Sequence, residues 1–153
     1  MFLKKYKSIS VKKNDVIVSM TGTIGSVAIY SINSPAIINQ NVVKLSCNEE
    51  ILNPYVLALY IKTIGKNLLI RQQTGNVQPY VNIPNFSNLI VPLFDKNAQN
   101  KILSLIQNSS SLQAKSKQLL EIAKTGVEKA IEENEKVAIN WMNQQLKILG
   151  INL

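Results

Sequence analysis

The residues best suited to chemistry in this sequence are amides and cations rather than acids or nucleophiles. Arg71-Gln72-Gln73-Thr74-Gly75-Asn76-Val77-Gln78 sets one arginine, four amide side chains and a glycine into eight residues without an acid. Arg pairs bidentately with guanine, Gln and Asn pair with adenine, and glycine allows close backbone approach. Arg71, Gln72, Thr74, Asn76 and Gln78 are therefore candidate base readers, although an ordinary exposed loop has a similar composition. Asn39-Gln40-Asn41 places three further amides in a row between apolar pieces. Buried amides have to be hydrogen-bonded, so this elbow is either a structural corner or a second reader, and both readings stay open. Lys12, Lys13, Lys62 and Lys66, with Thr21 and Thr23 of a glycine turn, complete the candidate DNA contacts.

Other chemistries are poorly supplied. Histidine is absent, which removes serine triads, imidazole acid–base work and the commonest metal ligand. Thr21-Gly22-Thr23-Ile24-Gly25 could suggest a phosphate cradle, but a nucleotide loop leads into a helix and carries a Lys-Ser/Thr pair. Here a strand pattern follows, so a hairpin tip is expected. Asn53-Pro54-Tyr55 faintly resembles the Asn-Pro-Pro-aromatic loop of adenine methyltransferases but lacks the second proline. It reads better as a helix cap. A metal nuclease needs clustered acids and a lysine, whereas the first 94 residues offer only Asp15, Glu49 and Glu50. No catalytic residue, metal site or cofactor is expected.

Charge is unevenly spread. Up to Phe94 there are nine Lys/Arg against three acids, a balance of +6, whereas the remainder carries eight against six, a balance of +2. A basic region without catalytic groups points to a polyanion partner, with plain solubility as the alternative. Cys47 stands alone, which argues against a disulfide framework and suits a reducing cytosol. The start, Met1-Phe2-Leu3-Lys4-Lys5, has no apolar leader core, and no run approaches the roughly 20 apolar residues of a membrane span. A cytoplasmic protein without membrane contact is expected.

The elements that must position these residues form an α+β chain. Residues 1–94 read as a small, mixed, β-rich head with one packed helix. Strands are expected at Val16–Val18 and Val27–Tyr30, with pieces at Ile37-Ile38 and Val42–Leu45. Asn53 caps a helix with Pro54 in its first turn and an apolar face of Val56, Leu57, Leu59, Tyr60, Ile64 and Leu68. Tyr80–Pro84 and Leu89–Pro92 are expected to return into the sheet. Residues 95–153 read as a helical arm capped by Asp95, with no proline and a single glycine, Gly126, before Gly150. Its seam runs through Ile102, Leu105, Leu112, Leu119 and Ala123, then shifts to Val127, Ile131, Ala138 and Trp141. Read as one helix to about Leu149, it makes a rod of roughly 75 Å. Its narrow seam is either covered by a partner helix, from a second half-unit or a second copy of the chain, or left wet.

Taken in order, these landmarks resemble the specificity subunit of type I restriction–modification systems. The resemblance rests on Asn14-Asp15-Val16-Ile17-Val18-Ser19-Met20-Thr21-Gly22-Thr23-Ile24-Gly25, where the family shows Gly-Asp, an apolar strand and Thr-Gly-x-x-Gly. It continues through Gly75, Gln78, Asn82 and Ile83, then Ile90-Val91-Pro92-Leu93, Gln99 and Ile102, and spans roughly residues 14–125. Asn14 replaces the family's glycine, Ala98 its usual glutamate, and Phe94-Asp95 a proline pair. The resemblance implies a non-catalytic target-recognition domain that reads one half of a split double-stranded DNA sequence. It further implies a long helix that pairs antiparallel with a second one, measures the spacing between half-sites and docks methyltransferase subunits. Against the family, the chain is expected to hold one half-unit and to begin mid-domain. An assembly element that acts through its arm without reading DNA is the competing expectation.

Overall fold

The computed structural model describes residues 9–75 and 77–151. It comprises two compact units, Met1–Leu103 and Ser104–Leu153.

The first unit is built on β2 (Val16–Ser19), the middle strand of an antiparallel sheet with β3 (Val27–Ile29) on one side and β5 (Val42–Leu45) on the other. Strand alternation sends Val16 and Val18 into the core and leaves Ile17 and Ser19 half-buried. Val16 pairs with Ile29 and Leu45, and Val18 with Val27 and Val43. The chain enters β2 through Asn14, at φ 72°, a left-handed conformation that asparagine tolerates better than most residues. Asp15 beside it is buried, accepting from the Lys12 N–H at 2.8 Å and the Ser46 hydroxyl at 2.6 Å. An unpaired carboxylate there would be costly, so this acid is committed to the turn. The strands expected before residue 50 are present, the Ile37-Ile38 piece one residue earlier and with one difference in pairing. β4 (Ala36–Ile37) pairs with β1 (Ser10–Val11) in a separate two-stranded sheet.

A helical run covers the sheet: α1 (Pro54–Tyr60), a π-helical stretch (Ile61–Gly65) and α2 (Lys66–Arg71). As the sequence suggests, the Asn53 side chain caps α1 by accepting from the Tyr55 N–H at 2.9 Å, with Pro54 in the first turn. The expected apolar face is corrected in its second half. The wider π turn displaces the following residues by about one position, so Gly65 and Leu69 are buried where Ile64 and Leu68 were expected. Ile64 and Leu59 are exposed instead. The core gathers Val16, Val18, Ile24, Leu57, Ile61, Leu69, Val81 and Phe86.

Tyr80–Pro84 and Leu89–Pro92 do not return to the sheet as strands. Tyr80 forms only isolated bridges, and Asn82 caps α3 (Ile83–Ser87), accepting from the Asn85 N–H at 2.8 Å with Pro84 in the first turn. This is the same Asn-then-Pro start as at α1. Leu89 and Val91 pack against the core without strand pairing.

Asp95 caps α4 (Lys96–Glu132), accepting from the Ala98 N–H at 2.8 Å. Gln99, only 2% exposed, joins three backbone groups. Its Oε1 accepts from the Asn53 N–H at 2.8 Å, and its Nε2 donates to the carbonyls of Ile51 and Phe94 at 2.9 and 2.8 Å.

The expected single rod to Leu149 is also corrected. α4 runs 37 residues, about 55 Å, and ends at Glu132. After Glu133 and Asn134 comes α5 (Glu135–Ile148). Asn134 adopts an extended conformation and accepts from the Val137 N–H at 3.0 Å, so an N-cap interrupts the helix without proline or glycine. Within the second unit α5 folds back on α4. Gly126 is buried where a β-carbon would collide with Met142, Ala138 is buried, and the Lys129 ammonium lies 5.9 Å from the Trp141 ring centre. No helix among the described residues is long and apolar enough to cross a membrane.

Candidate nucleic-acid interface

Three amide- or threonine-bearing segments meet where β2 ends. The Met20 N–H donates to the Asn41 carbonyl at 2.8 Å, which fixes the Asn39–Asn41 elbow beside the strand. The Met20 carbonyl in turn accepts from the Val81 N–H at 2.9 Å. Thr21 bridges to Tyr80, and Tyr80 exchanges two backbone hydrogen bonds with Thr74, at 2.8 and 2.9 Å. The glycine turn, the elbow and the Thr74–Tyr80 loop therefore hang from two consecutive residues, Met20 and Thr21.

The helical run adds its cations to this end. Gly25, at φ +76°, lies against Lys66, so closely that a β-carbon there would sit 2.8 Å from Lys66 Cγ. Lys66 is thereby held beside the glycine turn. Lys62 is exposed one turn earlier on the same face. Arg71 ends α2 in an exposed position, and Gln72 follows, half-buried, its carbonyl accepting from Asn85 Nδ2 at 3.0 Å. Thr74 and Gln78 are exposed, as are Thr23, Gln40 and Asn41, whereas Thr21 is half-buried. At Gly75, φ +92°, a β-carbon would sit 2.7 Å from the Gln78 carbonyl oxygen and 3.3 Å from the Tyr80 ring. Asn76 lies outside the described residues. Asn39 is exposed but partly engaged, its Oδ1 accepting from the Asn41 N–H at 3.0 Å, so it supports the elbow from within.

Lys12 and Lys13 are not part of this cluster. They are exposed in the turn that precedes β2, at the strand's opposite end, about 13 Å away for a four-residue strand. The acids lie at that end too. Asp15 is buried there, and Glu49 accepts from Asn14 Nδ2 at 3.0 Å while its carbonyl accepts from Lys96 Nζ at 2.9 Å. Between Ile51 and Phe94 the sequence has no Asp or Glu at all. The end that gathers the amides is therefore supplied with cations alone from that stretch.

Sequence reasoning did not single out Tyr80, which closes the loop, Asn85, which anchors its start, or Val77, which the loop leaves 99% exposed. Tyr80 and Asn85 act through backbone partners far along the chain, and nothing local marks them.

Elsewhere in the first unit, a groove of about 600 Å³ is lined mainly by apolar side chains, among them Val43, Leu45, Leu57, Phe86 and Leu89. Cys47 also lines it. Burial, then Glu49 and Asp15, pushes its thiol above the ordinary range. Among the described residues no group of three or more His, Cys, Asp or Glu is placed to hold a metal ion.

The expected pairing residues separate into two sets. Leu105, Leu112, Leu119, Ala123, Val127 and Ile131 are exposed along α4, Leu112 at 66% and Ile131 at 80%, and Ile102 is half-buried. Ala138 and Trp141 belong to α5 and are covered within the hairpin instead of extending the seam. α5 occupies the α4 face of Ile122, Gly126 and Lys129. At 3.6 residues per turn Gly126 falls about 20° from Leu119, one heptad on, so α5 covers the continuation of the Leu112–Leu119 row, whereas Val127 and Ile131 lie well around the helix from it.

The family model described as type I restriction modification DNA specificity domain matches residues 1–124. The chain belongs to this family. No curated protein matches it. The specificity-domain match takes in the whole loop cluster and the α4 seam as far as Ala123, and stops before the hairpin break. Several residues that carry the family likeness prove to be architectural. Asn14 supplies the left-handed conformation, Asp15 and Gln99 are buried connectors, and Gly25 and Gly75 permit close packing.

Proposed function

We propose that this chain is the sequence-recognition component of a type I restriction–modification complex, binding one half of a bipartite double-stranded DNA target. The observation that carries this reading is the convergence of three amide- or threonine-bearing segments at one end of β2, in a stretch without acids. Lys62 and Lys66 hold phosphates and set the register there, and Lys12 and Lys13 do so from the far end of the strand. Arg71, Gln72, Asn76, Gln78 and the Asn39–Asn41 elbow read base edges, with Thr21, Thr23 and Thr74 as hydroxyl contacts. The exposed α4 seam pairs with the same helix of a second half-unit or a second copy of the chain. Methyltransferase subunits dock on that assembly and perform the chemistry, so the chain needs no catalytic group or cofactor of its own.

Salt dependence tests the electrostatic part. With about six phosphates neutralised, log affinity for duplex DNA falls with log salt at a slope of about −5. Binding that is indifferent to salt, both alone and with modification subunits, contradicts the proposal. The exposed seam favours a second reading, an assembly element that brings partners together without touching bases. Such an element leaves target choice unchanged when the loop side chains are truncated.

A further inference from the structure

We infer that Val77 is a specificity-determining residue that reads the C5-methyl group of a thymine in the major groove. The inference rests on the DNA-recognition reading and sharpens it to one contact. Single exposed apolar residues are ordinary on protein surfaces, but Val77 occupies an unusual place. It is 99% exposed on a loop whose neck is closed by the reciprocal Thr74 and Tyr80 hydrogen bonds. The Thr21–Tyr80 bridge ties that neck to the end of β2, and Gly75 at φ +92° turns the chain against the Tyr80 ring. The loop is held closed at its base, and it holds the isopropyl group out into solvent.

What such a group can recognise follows from its chemistry. Valine is β-branched and stiff, so little rotamer freedom is lost on contact, and it neither donates nor accepts a hydrogen bond. Among base edges in the major groove, the thymine methyl is the apolar feature, and the other groups are donors and acceptors. The flanking side chains, Gln78 in the loop and Arg71 at its approach, are of the types that address those polar edges. The stretch from Ile51 to Phe94 carries Lys62, Lys66 and Arg71 and no acid, which suits a polyanion. An apolar pocket on a protein subunit is the other surface that would receive this side chain, and the experiment separates the two.

The full chain, alone and with its modification subunits, is used to select a preferred duplex from a randomised pool. Each thymine of the selected half-site is then replaced singly by deoxyuridine, which removes the methyl and keeps Watson–Crick pairing. For the unmodified chain, one replacement weakens binding about four- to fifteenfold, the scale of one or two buried methyl groups. Val77→Ala weakens binding to the thymine duplex by a similar factor and becomes indifferent to deoxyuridine at that position. Its salt slope and its association with the modification subunits stay as they were. Identical deoxyuridine profiles for both proteins, or a half-site without thymine, overturn the assignment of Val77 and leave DNA recognition standing. So does a Val77→Ala chain that loses subunit association with base preference intact, which places the side chain on protein. Failure of the pool to yield any preferred duplex overturns DNA recognition itself.

Discussion

The two units of this chain treat their apolar residues in opposite ways. Of the twelve buried hydrophobic residues among those described, eleven precede residue 104 and one, Ala138, follows it. The first unit closes a core between a three-stranded sheet and a helical run, while also leaving single apolar side chains such as Val77, Ile90 and Leu93 exposed. The second unit leaves Leu105, Leu112, Val127 and Ile131 in water along one helix and buries little more than a hairpin contact around Gly126 and Met142. A folded core earns its stability within one chain, whereas a helix with an open apolar stripe is stabilised by what covers it. The comparison separates a unit with a core of its own from a helix whose apolar stripe stays uncovered within the chain.

Substitution at matched apolar sites sharpens that contrast. Leu69→Ala, at a fully buried site in the first unit, is expected to cost about 2–5 kcal/mol in denaturant unfolding. Leu112→Ala, at an exposed seam position, is expected to change stability by less than about 0.5 kcal/mol in the dilute chain. Its effect emerges only in an assembled complex, as weaker association. Equal costs at the two sites in dilute solution would break the distinction.

A smaller effect belongs to Gln99, the one buried amide of α4. Gln99→Leu leaves the Asn53 N–H and the Ile51 and Phe94 carbonyls without their partner. The expected loss is about 1–3 kcal/mol, read by chemical denaturation, and confined to the first unit. A neutral result would mean that water or a shifted neighbour satisfies those groups, and that Gln99 does not fix the start of the helix.

The parts of this fold that were legible in the sequence are those decided within a few residues. The β2–β3 hairpin follows from alternating Val and Ile around Gly22 and Gly25, and α1 from the Asn53-Pro54 cap. Asn14 stands where the family shows glycine, and it takes the left-handed conformation that glycine and asparagine tolerate best. The same cap-and-proline signature stands at Asn82 and Pro84, where an expected strand proved to be a helix. There Val81 and Ile83, apolar on either side of Asn82, outweighed a local signal that was present. The π turn at Ile61–Gly65 was hidden because a one-residue change of phase is settled by packing against the sheet. The interruption at Asn134 carried no proline or glycine, and the residues around it, Glu132, Glu133 and Glu135, continue a helical composition. Its traces were Gly126, which admits Met142, and the change of seam near Val127.

The candidate interface was legible as a set of residue types but not as a place. Arg71, Gln72 and Gln78 stood out for their chemistry, and so did the amide elbow. Their meeting at Met20 and Thr21 is made by backbone hydrogen bonds between segments up to about sixty residues apart, a tertiary fact with no local pattern. Lys12 and Lys13 carried the same chemical signal and proved to lie at the opposite end of β2.

The central claim is that bases are read from the end of β2 where the three segments meet. It is tested most directly by comparing Arg71→Ala with Gln72→Ala, combined in one chain, against Lys12→Ala with Lys13→Ala in another. Each is assayed with modification subunits by sequencing the sites methylated in a randomised duplex library. The first pair is expected to relax or change the preferred half-site, each lost bidentate contact removing about 1–3 kcal/mol of discrimination. The second pair is expected to lower affinity evenly across sequences, with the preference unchanged. An unaltered half-site preference in the Arg71 and Gln72 variant would contradict the account.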